Sequence, residues 1–233
     1  MATPTEPTVP GHGLAAAAGI ATLAAAGVGI TLLILQVLGH RFGILDHVAS
    51  ARYRQATWLV LLALSAGIAT FCLQADGRRK SHLFGHWRVS SRYYVSAVLA
   101  ASAIFAVDMA VAVARDSSTP GTIDVFFQRA GTSIAGTMLA VYYFCGAVPV
   151  LEELLFRRGV FTLLRRFPVW LPITVSVALF ALLHPAQAQG GAFLLGLATA
   201  YLYLRSGSLL PSIACHAFAN GLAVAWAARE WQQ

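Results

Sequence analysis

Three short groups of polar residues, each set in apolar sequence, carry the side chains able to do chemistry. The first is Glu152-Glu153-Leu154-Leu155-Phe156-Arg157, which follows Pro149. On a helix Glu153 and Arg157 stand four residues apart and can form an ion pair, while Glu152 lies about 100° further round the axis. One carboxylate is then held by the arginine and the other is left to accept a proton. The second group is Phe180-Ala181-Leu182-Leu183-His184, at the end of an uncharged stretch and followed by Pro185. The third is His216-Ala217-Phe218-Ala219-Asn220, whose two polar members share one helix face. A carboxylate with an imidazole can polarise a water molecule and pass its proton to a leaving amine. A second imidazole with an amide can donate hydrogen bonds to a developing oxyanion. The chemistry is hydrolysis of a peptide bond by activated water, with no serine or cysteine nucleophile.

Each group also has a structural reading. Two carboxylates can mark a helix end among lipid headgroups, and a single histidine in an apolar helix more often packs or makes an interhelical hydrogen bond. An ionisable residue inside a membrane span costs about 2.5–3.5 kcal/mol on insertion scales. A pocket shared by groups from three helices is the economical account, because its members satisfy one another and hold water.

Such a pocket needs helices in a membrane to position it, and the composition requires the same. The 233 residues are 58% hydrophobic and 11% charged, with a mean hydropathy of +0.70, whereas a soluble domain carries about 25% charge. This excludes a soluble enzyme, a nucleic-acid binder and a disordered tail. The net charge of +7 sits in short clusters between apolar runs, so no nucleic-acid partner is expected. The fold class is all-α, a polytopic transmembrane helical bundle.

About 20 apolar residues cross ~30 Å of hydrocarbon. Scanning on that length predicts about seven spans, with six to eight as the range: 13–38, 56–75, 93–114 around Asp108, 131–151, 169–184, 191–204 and 209–228. The fourth runs directly into Glu152 and Glu153. The fifth and sixth are short and flank Pro185 and Gly190-Gly191, so they are expected to be tilted, broken or re-entrant. Residues 1–12 form a tail without the basic region of a signal peptide. Residues 13–233 read as a single transmembrane domain with a catalytic core at about 131–228. Basic residues favour a cytoplasmic N-terminus, with Trp58, Trp170 and Trp231 as interface anchors. Cys72, Cys145 and Cys215 lie in apolar stretches without a CxxC pair, which argues against redox or zinc-thiolate chemistry. Arginine outnumbers lysine fifteen to one, a bias of GC-rich genomes that points to a multi-pass protein of a bacterial inner membrane.

The ordered set Glu152-Glu153-xxx-Arg157, Phe180-xxx-His184 and His216-xxx-Asn220 resembles the CPBP family of intramembrane proteases, which includes the type II CAAX prenyl endopeptidases and bacteriocin-processing or immunity proteins. The resemblance runs from about residue 148 to 223. It implies Glu152 as general base assisted by His184, and His216 with Asn220 as the oxyanion hole. Glu153 and Arg157 would orient the site, and Phe180 would pack beside it. It also implies membrane lipid and a membrane-associated protein or peptide substrate as partners. There is no HExxH, so no cofactor is expected; a zinc site would need Glu152, His184 and His216 as ligands. Two other classes remain in view: a proton-coupled transporter, for which Asp108 is the best argument, and a catalytically silent scaffold or immunity protein.

Overall fold

Between Ser91 and Ala114 the sequence holds neither proline nor glycine, and it forms one helix of 24 residues, α1 (Ser91–Ala114), through Asp108 without a break. The computed structural model describes residues 84–114, 123–124, 126–127 and 133–230. The chain divides into two compact units, Met1–Lys80 and Ser81–Gln233, and the described residues belong to the second. The tail 1–12, the expected spans 13–38 and 56–75, and Trp58 and Trp231 lie outside them. So does the part of the single-domain reading that rests on the first unit.

Helix α2 (Ile134–Leu163) is 30 residues long. It opens on an N-cap, the Ser133 hydroxyl accepting the Gly136 N–H at 3.1 Å. The expected span 131–151 therefore ends too early: the helix passes the two carboxylates and continues to Leu163. Pro149 should have stopped it, because proline lacks an N–H and its ring crowds the carbonyl four residues back. The chain widens to π-helical turns at Val141–Ala147 and again at Leu154–Gly159. There the Val148 N–H reaches the Tyr143 carbonyl and the Val160 N–H reaches that of Leu155, five residues back in each case. A π turn makes room for the ring and re-aims the side chains that follow it.

Helix α3 (Trp170–Leu182) is 13 residues long and stops before His184-Pro185, where proline pushes the preceding residue out of helical conformation. A single 3-10 turn, Ala186–Ala188, leads into α4 (Gln189–Ser206). Gly207 closes α4 in the left-handed region, at φ +64°, with its N–H on the Tyr203 carbonyl at 2.9 Å. Helix α5 (Leu210–Glu230) follows at once, with Pro211 in its first turn.

Three of these helices, α1, α2 and α5, are long and apolar enough to cross a membrane. At 1.5 Å per residue α3 is only about 20 Å long, and α4 is not apolar enough to add a fourth. Among the described residues there is no strand, and the β-pairing found is an isolated bridge, Gly85 to Ser208. The bundle is that of a membrane protein, with side chains such as Val113, Ile134, Met138 and Tyr142 facing outward as lipid contact requires.

Helix α1 packs on α4 and α5, α3 on α4, and α2 on α5. The Tyr93 hydroxyl donates to the Arg205 carbonyl at 2.8 Å, and the Phe105 and Trp226 rings meet at 6.5 Å; α1 thus runs parallel to α5 and antiparallel to α4. Ala97 and Ala101, fully buried, let α1 approach closely. The core gathers Phe156, Phe180, Leu195, Leu202 and Cys215. Gly191 has its own reason: a Cβ there would collide with the Asp108 carboxylate, which rests on the first turn of α4.

Candidate active site

Helices α2 and α5 bring Glu152, Glu153 and His216 together. The imidazole lies between two consecutive glutamates. Its Nδ1 is 3.1 Å from Glu153 Oε1, and its Nε2 is 3.7 Å from Glu152 Oε2, the second separation being longer than a hydrogen bond. The 100° between the two side chains does not send them to different places. It lets each approach a different nitrogen of one ring.

The two carboxylates differ in their surroundings. Glu153 is fully buried and its Oε2 lies 3.1 Å from Arg157 Nε, the arginine being fully buried as well. The Glu152 side chain keeps 17% of its exposure. Its Oε2 is covered and has no hydrogen-bond partner among the described residues. Glu153 is thus compensated by a cation one helical turn away, and Glu152 retains lone pairs for another group. Neither sits at a helix end among headgroups, since α2 continues for ten residues past Glu153.

Arg157 is held on every side but one. Its Nε donates to Thr199 Oγ1 at 3.0 Å, and its Nη2 donates to the same oxygen and to the Gly196 carbonyl at 3.3 Å. The guanidinium lies 4.8 Å over the Phe180 ring, a cation–π contact in a water-poor setting. Thr199 passes its own proton to the Leu195 carbonyl at 2.9 Å, and its carbonyl accepts from the Ser212 hydroxyl at 2.8 Å. Thr199 and Ser212 were not singled out from sequence. The signal was there: a buried guanidinium needs acceptors, and Thr199 follows Gly196 by three positions on the buried face of α4.

Phe180, fully buried, touches both imidazoles, with ring centroids 4.7 Å from His184 and 5.5 Å from His216. His184 Nδ1 donates to the Phe180 carbonyl at 2.7 Å. A carbonyl only accepts, so Nδ1 carries the proton, and in the neutral imidazole this fixes the tautomer with the lone pair on Nε2. The Gln189 amide donates to the His184 carbonyl at 3.3 Å, tying the turn to the start of α4. The site thus joins His184 to His216 through the phenylalanine between them.

Asn220, one turn beyond His216 on α5, donates through Nδ2 to the Phe144 carbonyl at 2.8 Å. That carbonyl lies in the first π-helical turn of α2. One amide N–H is occupied there; among the described residues the side chain makes no other hydrogen bond. Asp108 stands apart, on Gly191. Among the described residues no three His, Cys, Asp or Glu side chains gather as metal ligands would.

Residues 133–222 match a protein family described as type II CAAX prenyl endopeptidase Rce1-like. The match begins at the N-cap of α2, includes all of α3 and α4, and ends two residues after Asn220. No curated protein and no solved structure gives a significant match to the chain.

Proposed function

We propose that the Rce1-like domain of this chain, a CPBP-type protease domain, hydrolyses a peptide bond in a membrane-associated protein or peptide by means of water activated at Glu152. The observation that carries the reading is the line Arg157–Glu153–His216–Glu152 across α2 and α5. Within it one buried carboxylate is neutralised by the guanidinium, and the other faces the imidazole at 3.7 Å through an oxygen that makes no hydrogen bond among the described residues.

In this reading Glu152 takes a proton from water as the oxygen attacks the substrate carbonyl. His184, with the Nε2 lone pair that its bond to Phe180 leaves open, polarises the same water. The oxyanion that forms accepts hydrogen bonds from Asn220 and His216. Since the His216 Nδ1–H is engaged by Glu153, the imidazole must also carry a proton on Nε2 to act as donor there. When the tetrahedral intermediate collapses, the proton held by Glu152 passes to the amine, the C–N bond breaks, and the carboxylate is restored. Glu153 and Arg157 orient the imidazole without touching substrate.

The setting is a multi-pass protein of a bacterial inner membrane. Arg88, Arg92, Arg165, Arg166 and Arg205 gather at the end of the bundle where α1 and α5 start and α2 and α4 finish, the end that basic residues keep in the cytoplasm. His216 is the seventh residue of α5, about 9 Å in from that end at 1.5 Å per residue.

The test compares membranes of cells expressing the wild type and Glu152→Gln, with newly created peptide termini identified by mass spectrometry. Glutamine keeps the shape but does not take the proton. Cleaved termini are expected with the wild type alone, at equal levels of inserted protein. The same termini in both would overturn the glutamate mechanism.

A further inference from the structure

We infer that Thr199 is a positioning residue of the hydrolytic site, acting through Arg157 and Glu153 on His216 and Glu152; this rests on the protease reading above. Thr199 lies 42 residues from Arg157 in sequence, outside all three motif groups, on a helix that contributes no carboxylate or imidazole to the site. Its side-chain oxygen nevertheless takes both Nε and Nη2 of the guanidinium.

The geometry gives that oxygen a specific task. Arg157 has four rotatable side-chain bonds, and an arginine held by one carboxylate alone can swing about it. The guanidinium plane is fixed only when a second acceptor engages the fork from another direction. Thr199 is that acceptor, itself set by two further bonds, and the Gly196 carbonyl assists it on the guanidinium. Its hydroxyl proton goes to the Leu195 carbonyl, its backbone carbonyl receives the Ser212 hydroxyl, and the neighbouring Gly196 carbonyl takes the rest of Nη2. Helices α4 and α5 thereby fix the angle at which Arg157 meets Glu153. Glu153 fixes the imidazole by a 3.1 Å bond to Nδ1, and the imidazole decides how far Nε2 stands from Glu152, 3.7 Å as found. A rotation of the guanidinium would pass along this line to the general base. Thr199, Arg157, Glu153 and His216 are fully or almost fully buried, so water cannot replace the missing acceptor at small cost.

Valine at 199 keeps the branched shape and removes the oxygen, whereas serine keeps the oxygen and loses a methyl group. The probe is a fluorogenic farnesylated peptide ending in Cys-aliphatic-aliphatic-X, presented to the purified full chain in detergent micelles, with kcat and KM measured per folded molecule. Thr199→Val is expected to lower kcat roughly 10- to 100-fold, the range for groups that orient a reactive side chain from behind, with KM within about twofold because substrate is not touched. Thr199→Ser should recover most of the lost kcat. Should the valine variant not accumulate, Thr199→Cys, close in size and a poor acceptor, makes the same comparison. A purely structural threonine predicts fewer folded molecules with unchanged kcat in each, and that result would overturn the proposal while leaving the protease reading intact. If the wild type and Glu152→Gln turn the peptide over alike, the glutamate mechanism falls and this proposal falls with it.

Discussion

Replacing Arg157 by methionine preserves most of the side-chain length and deletes the charge. Glu153 is then left fully buried, its remaining partner the imidazole of His216, while the acceptors at Thr199 and Gly196 lose their donor. Breaking a buried pair from one side costs about 3–5 kcal/mol because a charge is stranded. For a chain of this size each kcal/mol lowers the melting temperature by about 2–4 °C, so the loss should be roughly 6–20 °C. Glu153→Gln should cost a comparable amount by stranding Arg157. The decisive species is the double variant, which removes both charges and should fall short of the sum of the singles by about 0.5–3 kcal/mol, as expected for residues in one network. Cys215 supplies the assay. It is fully buried, precedes His216, and becomes reactive to a thiol-specific fluorophore when the bundle opens on heating in detergent. A background carrying Cys72→Ala and Cys145→Ala leaves it as the reporting thiol. An unchanged melting curve in Arg157→Met, or strictly additive effects in the double variant, would refute the claim that these two side chains stabilise each other.

Two further outcomes follow from the same geometry. Asn220→Ala should lower turnover per folded molecule by about 10²–10³, the effect of removing one oxyanion donor, with little change in KM because the bond strengthens only in the transition state. Normal turnover with lost stability would assign the amide to its bond with the Phe144 carbonyl alone. Chelation by 1,10-phenanthroline should leave cleavage of the farnesylated peptide unchanged, given that the described donors do not gather as metal ligands. Activity lost with the chelator and regained with zinc would overturn that expectation.

Much of the site was legible because its parts are local. The four-residue spacings of Glu153 with Arg157 and of His216 with Asn220 are helix geometry, and apolar flanks told that the charges had to be buried. The Arg157–Glu153 pair needs no tertiary information, and it forms at 3.1 Å. Helix ends were less legible. The span drawn to 151 stopped at the carboxylates because hydropathy falls there, whereas the backbone continues to Leu163 by widening into π turns around Pro149. That choice depends on packing and is not written in the composition. The fifth span, expected to be short ahead of Pro185, is a helix of 13 residues, and the first two spans of the seven lie outside the described residues.

The sequence by itself determined the solvent, the helical class and the inventory of reactive groups, since each follows from residue type and short-range periodicity. Tertiary structure decided which groups meet. It placed both glutamates on one imidazole, put Phe180 between the two histidines, rested Asp108 on Gly191, and brought Thr199 across from a separate helix to Arg157. These contacts depend on crossing positions, and those are set by small residues such as Ala97, Ala101 and Gly191, where the only information is how closely another helix can come.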